Sequence, residues 1–220
     1  AQAPTPGTAN YGLTFTLNGD NTDYSVSDCL TTASGSLEIP STYNGLPVTS
    51  IGDNAFASTS LTSITIPDSV TSIGYRAFWL CYGLTSVNVS NANAYYTANN
   101  GVLFNKAEDT LIAYPPGKSG EEFTVPSSVI SIGDFAFRGC SGLTSITIPD
   151  NVTSIGDFAF YGCTSLETVS IPDSVTSIGD YAFYGCTSLE TVSIPNSVTT
   201  IGDNAFQSCS SLETVSIPNS

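Results

Sequence analysis

Leu166-Glu167-Thr168-Val169-Ser170-Ile171-Pro172-Asp173-Ser174-Val175-Thr176-Ser177-Ile178-Gly179-Asp180-Tyr181-Ala182-Phe183 decides the fold, because its parts recur along the chain at a fixed interval. Ile148-Pro149, Ile171-Pro172, Ile194-Pro195 and Ile217-Pro218 lie 23 residues apart. Between them runs an Asn or Ser, then Val-Thr, Ser or Thr, Ile-Gly-Asp, an aromatic residue or Asn, Ala-Phe, two variable residues and Cys. A fixed period in this range predicts a solenoid, in which each repeat is one coil packed on its neighbours.

Inside the coil, Leu166 to Ile171 fits the Leu-x-x-Leu-x-Leu strand segment of leucine-rich repeats. Alternation along a strand points Val169 and Ile171 into the core and Thr168 and Ser170 outward. Pro172 ends the strand because it has no N–H for a continuing ladder. Val175 and Ile178 then carry the chain back across the core. Gly179-Asp180 reads as the start of one short helical turn capped by Asp180. Ala182, Phe183 and Cys186 take its inward side, and Tyr181 and Tyr184 its outward side. The Phe column runs Phe56, Phe78, Phe137, Phe160, Phe183, Phe206. The Cys column runs Cys81, Cys140, Cys163, Cys186, Cys209, and the first coil lacks its Cys and reads as one residue short. Stacked at about 4.8 Å with parallel side chains, these thiols are expected to stay free and behave as small apolar residues.

Composition narrows the function. The net charge is −15, yet eleven of nineteen acids are copies of three repeat positions. Asp53, Asp134, Asp157, Asp180 and Asp203 follow the repeated Gly; Asp68, Asp150 and Asp173 follow Pro; Glu167, Glu190 and Glu213 form the third column. With four basic residues, nucleic acid and anionic membrane are excluded as partners. No apolar stretch approaches the roughly 20 residues of a membrane helix. There is no His, Gly-x-Ser-x-Gly elbow, phosphate loop or metal-ligand cluster; composition alone leaves a glycosidase carboxylate pair open, but with most acids in repeat columns none is singled out for it. The chain is therefore expected to be no enzyme and to hold no cofactor. Asp20, Asp23 and Asp28 suggest calcium only weakly, since an ordinary loop accounts for them.

Ser174-Val175-Thr176-Ser177-Ile178-Gly179-Asp180-Tyr181-Ala182-Phe183-Tyr184-Gly185-Cys186 closely resembles the BspA-like type of bacterial leucine-rich repeat. The resemblance covers about residues 36 to 220, with Tyr43 to Gly52 similar to that family's opening coil. It implies a β-rich α/β chain: a right-handed leucine-rich-repeat solenoid with a parallel sheet, short helical turns and an N-terminal β cap. It also implies export, display at the cell surface or secretion, and use in adhesion or recognition of a protein or glycan. It brings no catalytic residue with it.

The repeat breaks in three places. Residues 1–10 read as a flexible lead, and residues 11–35 as a capping hairpin, with Tyr11 to Leu17 alternating like a strand before the Asn18-Gly19-Asp20-Asn21 turn. The interval from Ser90 to Pro126 is 36 residues rather than 23. A β-hairpin insertion is expected there, at about 91–125, from Gly101 to Phe104 and Thr110 to Ala113, before the Pro115-Pro116-Gly117 turn. The chain opens without Met, which reads as a mature or trimmed chain from which an export signal, if any, has been removed. It stops at Ser220 just after a strand, so either further protein has been removed, the favoured reading, or a partner covers the last coil.

Two outward surfaces are candidates for partner binding. The sheet face carries Thr168 and Thr191, bordered by Glu167 and Glu190. The turn face carries Trp79, Phe135, Phe158, Tyr161, Tyr181 and Tyr184 with Arg138, residue types that anchor interfaces. The plain structural alternative is that these rings only cover neighbouring turns. The functional expectation is a non-enzymatic recognition or adhesion module. The alternative is a structural spacer, or a self-association module acting through the last coil.

Overall fold

The computed structural model describes residues 11–216, so the expected lead at 1–10 and the final Ile217-Pro218 lie outside it. The chain falls into two compact units, residues 1–106 and 107–220.

In the first unit, β1 (Thr14–Leu17) and β2 (Tyr24–Asp28) pair antiparallel. β3 (Ser34–Glu38), β6 (Ser60–Ile66) and β8 (Ser86–Val89) make one parallel ladder. β2, β5 (Leu46–Ile51) and β7 (Ser72–Ile73) make a second. β4 (Thr42–Tyr43) turns back on β5 through Asn44-Gly45, whose φ values are 49° and 81°. β9 (Tyr96–Asn99) and β10 (Val102–Asn105) form a hairpin across Asn100-Gly101, at φ 52° and 77°. Two left-handed residues in a two-residue loop give the turn whose twist suits a hairpin.

The second unit is the more regular. β12 (Glu122–Thr124), β14 (Ser145–Thr147), β16 (Thr168–Ser170), β18 (Thr191–Ser193) and β20 (Thr214–Ser216) form a parallel, in-register ladder. A second parallel ladder joins β11 (Thr110–Ala113), β13 (Ser131–Ile132), β15 (Ser154–Ile155), β17 (Ser177–Ile178) and β19 (Thr200–Ile201). The return across the core is thus itself a strand, where the sequence suggested only a crossing.

The core is the one the repeat predicts. Leu166, Val169, Ile171, Val175, Ile178, Ala182, Phe183 and Cys186 are all buried, while Thr168 and Ser170 are exposed. Phe137, Phe160, Phe183 and Phe206 stack at 4.9–5.2 Å between centroids. Tyr114 extends this column, stacked 5.3 Å from Phe137 in the register a Phe would hold. In the first coil Thr59 fills the Cys register, three residues after Phe56, and its hydroxyl donates to the Phe56 carbonyl at 2.9 Å; the coil is one residue short just after it, where Ser60 alone separates Thr59 from Leu61.

The short helical turns are corrected by the structure, because no helix occurs among the described residues. In the turn after Gly156, Ala159, Tyr161 and Cys163 donate to carbonyls three residues back, those of Gly156, Phe158 and Phe160. The amides between them, on Phe158, Phe160 and Gly162, donate instead to Asp180, Ala182 and Tyr184 of the next coil at 2.7–2.8 Å. Alternate amides therefore leave the coil, and no i→i−4 run can form. Two left-handed residues per turn enforce this: Phe158 at φ 55° and Gly162 at 71°, Tyr181 at 53° and Gly185 at 70°. Asp180 is not a cap either. Its Oδ1 accepts the backbone N–H of Asp203 at 2.7 Å, as Asp157 accepts from Asp180 and Asp134 from Asp157.

Candidate functional site

Among the aromatic candidates, Phe135, Phe158 and Tyr181 form one row in the second unit. Phe135–Phe158 and Phe158–Tyr181 stack at 5.0 and 4.9 Å with interplanar angles of 11° and 6°. Tyr161 and Tyr184 form a second row at 4.8 Å and 8°. The rows meet as tilted pairs, Phe158 with Tyr161 and Tyr181 with Tyr184, both at 5.8 Å. The Arg138 guanidinium lies 4.9 Å from the Tyr161 ring centre and closes the second row. All these side chains are half-buried. The in-register coils bring these six candidates together, because every coil repeats the same turn.

Trp79 belongs to the first unit. There Arg76 lies over its ring at 4.3 Å and over Tyr75 at 4.9 Å. Arg76 holds the register of Phe135 and was not singled out from sequence, although its place two residues after Gly74 marks it. Thr168 and Thr191 face each other across β16 and β18, exposed, with exposed Glu167 and Glu190 just before them. They form a flat polar surface on another part of the coil from the aromatic rows.

Ring geometry decides what the rows can hold. Nearly parallel rings at about 5 Å cover one another's faces. What the rows offer to solvent is ring edges, the tyrosine hydroxyls and the cation of Arg138.

A second feature escaped the sequence reading. A groove of about 410 Å³ runs beside β15, β17 and β19. Asp134, Asp157 and Asp180 and the hydroxyl residues Ser154, Ser177 and Thr200 are among the residues that line it. Each aspartate comes one residue before a ring of the first row. The glycines set its depth: a Cβ on Gly179 would sit 2.4 Å from Asp157 Oδ1, and one on Gly156 2.5 Å from Asp134 Oδ1.

All six cysteines are free. The column thiols donate to carbonyls of the preceding coil: Cys163 to Phe137 at 3.0 Å, Cys186 to Phe160 at 3.2 Å and Cys209 to Phe183 at 3.1 Å. Burial pushes the Cys81 and Cys163 thiols up, as it does Cys29, to about 11, with Asp28 and Cys81 adding to the effect. A thiol kept protonated is a poor nucleophile and metal ligand. No group of three or more His, Cys, Asp or Glu residues suited to a metal ion occurs among the described residues, Asp20, Asp23 and Asp28 included.

Parallel β-coils with leucine-rich strand segments and a repeated turn define a leucine-rich-repeat β-solenoid. The model of the BspA type leucine rich repeat region matches residues 28–106 and 116–220, in six copies. The chain belongs to the BspA-type leucine-rich repeat family. Similar solved structures include a leucine-rich repeat protein from Eubacterium ventriosum, 33% identical with a TM-score of 0.72, over 84% of this chain and 55% of that one. The pneumococcal vaccine antigen PcpA is 24% identical with a TM-score of 0.63, over 79% and 49%. A leucine rich cell surface protein from Faecalibacterium prausnitzii is 20% identical with a TM-score of 0.53, over 100% and 96%. The last two likenesses, at such identity, concern the fold alone. The chain spans about half the length of the first two proteins. Among curated proteins none matches significantly.

Proposed function

We propose that this chain is a non-enzymatic recognition module of a cell-surface or secreted protein, and that it holds a protein partner on the aromatic rows of the second unit. The observation that carries this reading is where the rings sit. Phe135, Phe158 and Tyr181 occupy left-handed backbone positions, at φ 60°, 55° and 53°, where the coils of Asn54 and Asn204 use Asn at φ 56° and 57°. A bulky side chain there costs about 1–2 kcal/mol, and Asn tolerates the position better. Ring stacking returns about 0.5–1.5 kcal/mol per pair beyond the apolar area the rings bury, and part of that gain is offset by the left-handed backbone. A row of aromatic residues beside Arg, kept at positions that disfavour bulky side chains, carries the residue types that anchor interfaces. The absence of His from the whole chain and the columnar placement of its acids support a binding role over a catalytic one.

Protein is favoured over glycan because sugars stack on open ring faces, and these faces are covered by neighbouring rings. Surface display is the part of this reading that rests on membership of the BspA-type leucine-rich repeat family. The test is binding of the purified chain to arrayed extracellular proteins and glycans, with Tyr181→Ser/Tyr184→Ser alongside. A saturable protein hit that the variant loses supports the reading. Hits on glycans alone would overturn it in favour of a glycan-binding module, protein hits that the folded variant keeps would move the site off the aromatic rows, and no hit at all would leave the chain as a structural spacer.

A further inference from the structure

We infer a modification site outside the repeat and the aromatic rows: the Lys118–Ser119 peptide bond, cut in the folded chain by a trypsin-type serine protease. Such a protease requires Lys or Arg just before the bond it cuts, and the sequence offers four, Arg76, Lys106, Lys118 and Arg138. Burial and hydrogen bonding of the backbone around each of them decide which bond is open to attack.

Three of the four are protected. After Arg76 comes buried Ala77, whose carbonyl accepts the Phe56 amide at 2.9 Å. Arg138 follows fully buried Phe137, and the next amide, on Gly139, donates to Tyr161 at 2.8 Å. Lys106 is exposed, but its amide donates to the Tyr95 carbonyl at 2.8 Å. Leu103 and Phe104 just before it are buried in the β9–β10 hairpin. Cutting at any of these draws core side chains out of the fold.

Lys118 lies in the run between β11 and β12, residues 114–121, which forms no strand. Its side chain is half-buried, and Ser119 and Gly120 after it are exposed. Gly120 takes φ 122°, and a Cβ there would meet nothing closer than the Glu122 carbonyl at 3.9 Å. The Lys118 amide donates within the loop, to Pro115 at 3.1 Å. Pro116 to Gly120 can therefore straighten without drawing a strand after them. Small and polar residues on an exposed loop are where nicking concentrates.

In the cut, the Lys118 acyl carbon passes to the protease serine while Ser119 leaves as a new amine carrying the proton. Water then takes the acyl group and frees the serine, so one water is consumed and a carboxylate and an ammonium replace the peptide bond. The second unit keeps the two pieces together. β11 before the nick pairs with β13 after it, and Tyr114 packs on Phe123 and Phe137 at 4.8 and 5.3 Å.

Limited digestion with trypsin tests this, with the products weighed by mass spectrometry in denaturant and sized by native gel filtration. Residues 1–118 and 119–220 are the expected first products, eluting together at the size of the uncut chain. Cutting after Lys118 should be at least about a hundredfold faster than at the other three sites, which wait for rarer opening of the fold. Lys118→Gln, shown by circular dichroism to be folded, should abolish the early cut and leave the three slow ones unchanged. A first cut after Arg76, Lys106 or Arg138, early nicking that survives Lys118→Gln, or a native chain that trypsin leaves whole overturns the inference. Fragments that part on the native column overturn the association of the two pieces.

Discussion

Replacing Gly179 by alanine tests whether contact between successive coils, rather than turn conformation, explains the glycine of each Ile-Gly-Asp. A Cβ there would lie 2.4 Å from Asp157 Oδ1, 2.6 Å from Asp157 N and 2.7 Å from the Gly156 carbonyl carbon. Two of the three obstacles are backbone, so only separation of the coils relieves them. Separation stretches the Gly179 N–H bond to Ile155 O at 2.9 Å and the Asp180 N–H bond to Asp157 at 2.8 Å. Overpacking costs about 1–3 kcal/mol and each weakened hydrogen bond up to about 1 kcal/mol. Against this, alanine stabilises by about 0.4–1 kcal/mol through the unfolded chain. The expected net loss is about 2–4 kcal/mol, by the same terms. Urea unfolding followed by far-ultraviolet circular dichroism measures it, with Gly142→Ala as the control because a Cβ there meets nothing within 4 Å. That control should stay within about 0.5 kcal/mol of the parent. Adding Asp157→Ala to Gly179→Ala should restore little, since the backbone contacts remain. A Gly179→Ala variant as stable as the control, or full rescue by Asp157→Ala, would refute the reasoning.

Phe183→Ala removes a fully buried ring stacked 4.9 Å from Phe160 and 5.2 Å from Phe206. A loss of about 3–5 kcal/mol is expected in the same urea experiment, and a loss under about 1 kcal/mol would show that the coils close over the gap. Alkali should also destabilise the fold. Burial raises the Cys29 thiol from 9.0 to about 11, and burial, with Cys140 adding to it, raises Tyr114 from 10.0 to about 12. Because the folded-state values are raised, this contribution is complete below about pH 9 and is lost as the pH climbs towards 11 and 12. Melting temperatures measured from pH 8 to 11 should fall steadily; a flat profile would contradict the assignment.

Period and burial were legible because they follow from composition of the repeat. A Val, Ile or Phe every 23 residues at the same phase has to be stacked and buried, and the structure buries Val175, Ile178 and Phe183 accordingly. Direction of hydrogen bonding was not legible. Asp after Gly before a helix-like run looks like a cap, yet whether its oxygen turns to its own coil or to the next depends on backbone placement that residue types do not encode. The same ambiguity hid the second ladder, since Ser177-Ile178 is too short to show alternation. Asn100-Gly101 did carry a usable hairpin signal, passed over because the turn was expected between Phe104 and Thr110. Thr59 and Tyr114 are register substitutes for Cys and Phe, recognisable only when position is set above residue identity. Among the candidate site residues, the repeat itself announced the two rows; the groove beside them depends on Gly156 and Gly179 admitting the neighbouring carboxylate, a matter of ångströms.

The alternating amides of the turns have a consequence for how such a chain can change length. In the second unit the turns at Phe135, Phe158 and Tyr181 each send three N–H groups to the coil after and accept that coil's aspartate N–H in return, so the upper and lower faces of these coils are complementary and unlike. Inserting or deleting one whole repeat recreates the same seam, donor for acceptor. A shift of register within the turn itself sets Asp against a ring or a Cβ where only Gly fits, whereas the 36-residue interval from Ser90 to Pro126 carries its extra residues outside that turn. A gene encoding such a chain is therefore free to slip by whole repeats and held against changes inside the turn, so that reach can vary between descendants while the turn surface of each coil is kept.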